Sequence, residues 1–209
     1  MEFERLDRND LRKLKKTAEE YRETFATEPW KEVSRCPKYD KFYGPENPPG
    51  TNCPCGCGKL EEAYPVIKTT RYIRDEISKE NAVAKTAIKD GKPIGFGWAY
   101  EETVEEFANT KYKPGNREII TTIVGKKTKV IYLSEFGFIE KERGKGYGTE
   151  ITRQVVEEYS RPQKPLLMRT NKSSTMRFIA EKLGMKPIMG SDDTLPDPEN
   201  SERILYYKE

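Results

Sequence analysis

Two segments of this chain combine residue types and spacing that can do chemistry: the hexapeptide Arg143-Gly144-Lys145-Gly146-Tyr147-Gly148, and a cysteine group made of Cys36, Cys53, Cys55 and Cys57. An apolar, strand-like run, 129–139, enters the hexapeptide and a helical pattern marked by Ile151, Val155 and Tyr159 leaves it. Exposed backbone N–H groups and the positive end of a helix dipole therefore meet at the exit of a strand, an arrangement that binds phosphate. The three glycines let the backbone approach an anion closely, and Arg143 and Lys145 add positive charge beside it. The turn lacks the G-K-[ST] ending of a P-loop, and it stands too late in the chain for the first unit of a dinucleotide-binding fold.

All four cysteines lie in one stretch, three of them inside Cys53-Pro54-Cys55-Gly56-Cys57-Gly58. Four thiolates around structural Zn²⁺ would fix a loop that has almost no apolar core of its own, and the intervening Pro and Gly residues allow the turns that converging sulfurs need. The C-x-C-x-C spacing departs from paired C-x-x-C knuckles, so free buried thiols, a redox-formed disulfide and a three-cysteine site stay open. The absence of histidine removes Ser-His and Cys-His nucleophile pairs, histidine bases and every His-containing metal site. A proton acceptor must then be a carboxylate, thiol, tyrosine or lysine. Glu135 is an acid in the apolar strand, where desolvation would raise its pKa toward neutrality. A plain ion pair with a neighbouring Arg or Lys is the bland reading of the same residue.

The elements that must position these groups follow from periodicity. A strand over 3–7 leads to Asn9 or Asp10 as the cap of a helix whose apolar face is Leu11, Leu14, Ala18, Tyr21 and Phe25, ending near Pro29. A second helix begins at Pro65 and carries Val66, Thr70, Ile73 and Ile77 on one face. Strands over 81–89 and 92–100 are joined by Asp90-Gly91 as a tight hairpin. A short acidic helix is expected over 101–110, while 118–124 fits strand or helix. After the glycine turn come a helix, a buried strand over 165–170, a helix stopped by Gly184 and a last strand over 204–207. Strand-helix-strand order here implies a locally parallel pair. In the strand over 129–139, alternation places Ile131, Leu133, Glu135 and Gly137 on one face and Tyr132, Ser134, Phe136 and Phe138 on the other.

These motifs, in this order, resemble the GNAT superfamily of N-acetyltransferases. Residues 143–148 match its Q/R-x-x-G-x-G/A signature, Glu135-Phe136-Gly137-Phe138-Ile139-Glu140 resembles its fourth strand, Phe178-Ile179-Ala180-Glu181-Lys182-Leu183-Gly184-Met185 its fourth-helix ending, and the segment from Tyr21 to Trp30 its first helix and Pro-Trp turn. The resemblance covers about residues 3–30 and 65–207. It implies an α/β (α+β) GNAT fold: a mixed, mostly antiparallel twisted sheet of about six to seven strands flanked by about four helices. One domain would span 1–209, with a cysteine-rich insertion at 31–64 and a second insertion at 101–129.

By the same resemblance the cosubstrate is acetyl-CoA. The backbone of Phe136, Gly137 and Phe138 would pair with its pantetheine arm, the amides of Arg143, Gly144, Lys145, Gly146, Tyr147 and Gly148 would cradle its pyrophosphate, and Asn171 would lie near it. Glu135 would be the catalytic base for an amine acceptor, a small molecule or a protein. Many members place a tyrosine acid where this chain has Ala180. That departure leaves a second reading, a catalytically inactive CoA-binding module acting as a sensor or protein scaffold. The insertion would overlie the acceptor cleft, with Tyr39, Phe42, Tyr43 and Tyr64 as candidate lining and the acidic pairs Glu61-Glu62, Glu101-Glu102 and Glu105-Glu106 as candidate attractants for a cation.

Composition bounds the partners. Hydrophobic residues make up 34% and charged residues 35% of 209, and 38 basic against 35 acidic side chains leave only +3. The signs are interleaved, which argues against a nucleic-acid partner. Charges in the first ten residues, and the lack of any apolar run of bilayer length, argue against a membrane and for a cytoplasmic address. Monomer and homodimer both remain open.

Overall fold

The computed structural model describes residues 1–159 and 164–209. Its first elements are β1 (Glu2–Arg5) and α1 (Leu11–Phe25). Asp10 caps α1 by accepting from the Lys13 N–H at 2.9 Å, and the helix buries Leu14, Ala18, Tyr21 and Phe25 on one face. The insertion folds into three short strands, β2 (Ser34–Arg35), β3 (Phe42–Tyr43) and β4 (Glu61–Glu62), paired in the order β3-β2-β4. Helix α2 (Val66–Glu76) starts after Pro65 and packs on α1.

A hairpin of β5 (Val83–Lys89) and β6 (Lys92–Thr103) turns through Asp90 and Gly91, both at positive φ, and matches Lys89 with Lys92 as a two-residue loop requires. Helices α3 (Val104–Lys111) and α4 (Arg117–Ile120) follow, then β7 (Lys129–Phe138), α5 (Tyr147–Glu157), β8 (Leu166–Asn171), α6 (Met176–Lys182), β9 (Lys186–Met189) and β10 (Arg203–Lys208). The main sheet has seven strands in the order β1-β5-β6-β7-β8-β10-β9. Every pairing is antiparallel except β7 with β8, the expected parallel pair joined through α5. The fold class read from the sequence is thus the one observed.

Apolar side chains cover both sheet faces. Under α1 and α2 lie Phe96, Trp98, Tyr100 and Tyr132 with Leu14, Tyr21, Phe25 and Ile73; under α5 and α6 lie Ile131, Leu133, Met168, Val155 and Ala180, continued by Phe138 and Ile151. Phe96, Trp98 and Leu14 are fully buried, each burial worth roughly 1.5–3 kcal/mol.

Two local expectations are corrected, and the segment that fits strand or helix is decided. Residues 101–103 extend β6 rather than begin a helix, because Glu101, Glu102 and Thr103 pair with Ile131, Val130 and Lys129. The cap of α3 is Thr103, whose hydroxyl and the Glu106 carboxylate form a reciprocal capping box. Residues 117–125 are helical throughout, as α4 followed by a π-turn.

The second correction bears on the site. Trp98 stands opposite Glu135 and Ala99 opposite Leu133, so Ser134 is an extra residue in β7, a β-bulge. Beyond the bulge the alternation is reversed. Ser134 donates to Glu76 of α2 at 2.8 Å, and the next residue, Glu135, accepts from Tyr72 of α2 at 3.2 Å. Glu135 and Gly137 therefore share the α1/α2 face with Tyr132, while Phe136 and Phe138 pass to the α5 face with Leu133.

Candidate active site

Strands β7 and β8 pair only through Ile131 with Leu166 and Tyr132 with Leu167. Past that point they part, and the bulge at Ser134 turns β7 further away. The Ile139 N–H donates to Ile94 on the β6 side at 3.1 Å, so by alternation the N–H groups of Phe136 and Phe138 point to the open side, toward the split. Gly137 lets α1 lie close over this segment: a Cβ there would stand 2.7 Å from the Thr24 side chain and 2.8 Å from the Phe96 ring.

One end of the split opens into a groove of about 600 Å³ between the C-terminal end of α1, residues 136–138, the glycine turn and α6. Gly146 caps α5 at φ 84°, a conformation that favours glycine. Among the described residues, the backbone N–H groups of residues 144–149, at and just before the start of α5, have no acceptor. The buried Thr24 hydroxyl on the opposite wall is also without a partner. Free donors of five residues that line an open groove, Gly144 and 146–149, fit a pyrophosphate and an amide-bearing arm.

The two basic residues of the turn do something other than expected. The Arg143 guanidinium donates to the carbonyls of Phe138 (2.8 Å), Thr24 (2.9 Å) and Glu28, and to the Thr27 hydroxyl (2.8 Å). Its own N–H donates to Glu140. Arg143 thus ties the end of β7 to the end of α1 and shapes the groove wall, rather than adding free charge to the turn. Lys145 stands 2.9 Å from Glu142, which Lys89 also approaches at 3.1 Å; the two lysines hold that carboxyl below its usual range. Asn171 closes its own loop, its side-chain oxygen accepting from the Ser173 N–H and hydroxyl, and it is outside the groove lining. Ser173, Ser174, Thr175 and Phe178 take that wall instead; Phe178, 49% accessible in a helix that buries Ile179 and Ala180, is a signal sequence periodicity does not give.

The other end of the split is a cavity of about 220 Å³. Trp30, Phe136, Ser174 and Met176 line both spaces, so the groove and the cavity are continuous. Glu135 is in the cavity wall. Burial, reinforced by the Glu76 carboxylate and opposed by Lys111 and by the hydrogen bond from Tyr72, pushes its pKa up to about 7. It is therefore poised to exchange a proton near neutral pH. Tyr21, Phe25, Phe42 and Tyr64 form the aromatic side of the cavity, with Tyr64 stacked on Phe42 at 5.5 Å. Tyr64 donates to Glu32, another cavity carboxyl whose pKa burial raises.

Of the insertion aromatics, Phe42 and Tyr64 reach the cavity, while Tyr43 packs on the cysteines and Tyr39 is exposed. None of the three acidic pairs lines it. Ala180 is fully buried in the core between the sheet and α5, away from both spaces.

Behind Phe42, the four cysteine sulfurs lie within 4.8 Å of one another. Cys36–Cys57, Cys53–Cys55, Cys55–Cys57 and Cys36–Cys55 Sγ separations are 3.1, 3.0, 2.8 and 3.7 Å. All four are free thiols. The loop 53–58 brings three of them round through Gly56 and Gly58 at positive φ and a Cys53 N–H to Gly58 bond of 2.8 Å. Sulfurs about 2.3 Å from a tetrahedral Zn²⁺ stand about 3.8 Å apart, so a small outward movement would seat the ion. The donor set fits a thiophilic metal.

Comparison with known proteins agrees with this geometry. Residues 53–184 match the model of the Acetyltransferase (GNAT) family. No curated protein matches in sequence. Among solved structures, the chain is similar to aminoglycoside 6'-acetyltransferase type Ii, with 16% identity, 100% of this chain and 96% of that one covered, and a TM-score of 0.54. It is also similar to the PaiA N-acetyltransferase of Thermoplasma acidophilum in complex with coenzyme A (13%, 100% and 99%, 0.53) and to arylalkylamine N-acetyltransferase 2 of Aedes aegypti (11%, 99% and 97%, 0.54). These likenesses are of fold.

Proposed function

Because the chain belongs to the acetyltransferase (GNAT) family, we propose that it transfers an acetyl group from acetyl-CoA to a primary amine, with Glu135 as general base. The observation that carries this reading is the junction: a groove rich in free N–H donors and a small aromatic cavity meet beside a carboxyl poised near pH 7. The PaiA N-acetyltransferase structure was determined with coenzyme A, and the other two relatives named above are amine acetyltransferases.

Acetyl-CoA would lay its pyrophosphate on the N–H groups of residues 144–149 and its pantetheine amides along Phe136 and Phe138, bringing the thioester to the split. An aliphatic amine is protonated at neutral pH and nucleophilic only after losing a proton. Glu135, directly or through a water, takes it. The nitrogen lone pair then attacks the thioester carbonyl and a C–N bond forms; the adduct nitrogen gives up its second proton to solvent, and collapse of the tetrahedral adduct breaks the C–S bond and releases the thiolate, which takes a proton from solvent. A backbone N–H of the splayed β7 edge is the natural donor to the oxyanion. With Ala180 buried and no hydroxyl in its place, solvent reprotonation of a thiolate leaving group needs no tyrosine. The placement of Glu135 at the junction speaks for catalysis rather than a silent coenzyme-binding module.

The cysteine cluster is assigned a structural Zn²⁺. Cys36, Cys53, Cys55 and Cys57 would hold it, and its contribution is to fix β2 and β3, and through β3 the Phe42 ring that faces the acceptor. Among the described residues no helix is long and apolar enough to cross a membrane.

The test is calorimetric titration of the metal-replete protein with acetyl-CoA, followed by thiol release against a panel of amines. Binding with amine-dependent release is the expected result. Absence of acetyl-CoA binding overturns the assignment.

A further inference from the structure

The proposed acceptor cavity holds a cation with no ion-pair partner among the described residues. Three basic side chains line the cavity: Lys111, Arg169 and Arg203. Arg169 is spoken for, since Asp197 takes two of its N–H groups at 2.8 and 2.9 Å and is itself completely buried at the side chain. Arg203, at the start of β10, has its guanidinium 4.7 Å above the Trp30 ring. Among the described residues no carboxylate or carbonyl accepts a hydrogen bond from that guanidinium. Lys111 likewise stands over an aromatic ring, that of Tyr132, at 5.6 Å, with no ion-pair partner among the described residues.

A half-buried guanidinium with five unused donors is costly unless an anion completes it. The neighbouring carboxylates do not play that part. Glu32 is engaged by Tyr64 and Glu135 by Tyr72, and neither is within ion-pair distance of Arg203. Burial, with the like charge of Arg169, lowers the Arg203 pKa, and the more distant Glu135 and Glu32 carboxylates only partly oppose it. Trp30 contacts the guanidinium at its ring face, which leaves the five N–H donors available to a bidentate partner.

We infer that the acceptor is a small amino-carboxylate, an amino acid or a close analogue, whose carboxylate is bound edge-on by Arg203 while its amine is directed to Glu135. The inference rests on the acetyl-transfer reading for the role of the amine, but the Arg203 subsite stands on its own geometry. The 220 Å³ cavity that contains both Arg203 and Glu135 suits a molecule of this size. A peptide N-terminus offers an amine without a carboxylate beside it and would leave Arg203 unfilled.

The experiment compares matched probes on the full-length, metal-replete protein: the free amino acids, their carboxamides, the corresponding decarboxylated amines and a tripeptide amide. The wild-type enzyme is expected to show kcat/KM at least about tenfold higher for the best amino acid than for its carboxamide, chiefly through KM, as loss of one charge-assisted bidentate contact implies. Arg203→Gln is expected to bring that ratio close to one, and Arg203→Lys to leave it in between. If carboxamides, amines or the tripeptide are used as well as the acids by the wild type, the inference is overturned, whatever the variants do. Calorimetric binding of the same probes separates the two readings. Acid-selective binding that Arg203→Gln abolishes, without turnover of any probe, supports the subsite and counts against the transferase reading; no acid-selective binding overturns the subsite.

Discussion

The coenzyme groove and the acceptor cavity share four residues and one split in the sheet, yet they are built from different parts of the chain. The groove is a backbone structure: free N–H groups from one consecutive segment, residues 144–149, set by the αL conformation of Gly146 and the start of α5. The cavity is a side-chain structure, gathering Tyr21 and Phe25 from α1, Phe42 and Tyr64 from the insertion, Glu135 from the bulged β7, and Arg203 from β10. If the groove takes the donor and the cavity the acceptor, as proposed, donor binding is local and cheap to preserve, while acceptor choice depends on contacts spread over the whole chain and can change one side chain at a time. The two halves should therefore respond separately to mutation.

The largest separation is expected from Glu135→Gln. Removing the base should lower kcat/KM for the amine by about 10²–10⁴, while calorimetry shows the acetyl-CoA affinity within about twofold of wild type, since the groove is untouched. On the other side, Gly146→Val places a β-branched residue at φ 84° and disturbs the helix start. Its acetyl-CoA Kd should rise at least about tenfold and its stability fall by about 1–2 kcal/mol, with acceptor preference across the amine panel unchanged.

Removing the metal sharpens the same division. A strong chelator, or Cys53→Ser, should lower Tm and raise the acceptor KM severalfold through Phe42, but shift acetyl-CoA affinity little. Equal damage to both affinities would show that the insertion supports the whole domain, not the cavity alone.

The smallest effect on the two affinities comes from outside both halves. Glu20 on α1 is 7% exposed, one carboxyl oxygen has no partner, and burial with Glu23 and Glu19 nearby pushes its pKa up to about 9. A carboxyl whose folded pKa exceeds its unfolded value favours the folded state only while protonated. That advantage is whole below about pH 4.5 and is lost as pH rises to about 9. Glu20→Gln should leave stability at pH 4 nearly unchanged and raise it by about 1–3 kcal/mol at pH 8, read from denaturant melts, without moving either affinity.

What sequence reasoning reached follows the same line between local and distributed structure. The glycine turn, the Asp10 cap and the Asp90-Gly91 hairpin are specified within a few residues, and each is where the sequence places it. The bulge at Ser134 is not local. It exists because β6 and β7 pair out of step between Trp98 and Ala99, so strict alternation put Glu135 on the wrong face while still naming it as the base candidate. Glu101 and Glu102 read as helix-start acids, but in β6 Glu101 meets Lys164 at 2.5 Å, a partner sixty-three residues away. β9, four residues with a proline at its second position, is too short to show a period. Arg143 was legible as part of a phosphate turn, but only the fold shows its guanidinium tied to three carbonyls of other segments. Arg203 and Asp197 sit in or beside a polar loop where nothing in the sequence distinguishes a buried pair from a free cation.

The most direct test of acetyl transfer in the split, with Glu135 taking the proton, is the pH dependence of kcat/KM at saturating acetyl-CoA for wild type and Glu135→Gln with the same amine. The wild-type rate is expected to rise through an inflection near pH 7, where the Glu135 carboxyl loses its proton, and the variant to be slower by orders of magnitude and to lack that inflection. A variant with the wild-type rate and the same inflection would contradict the account.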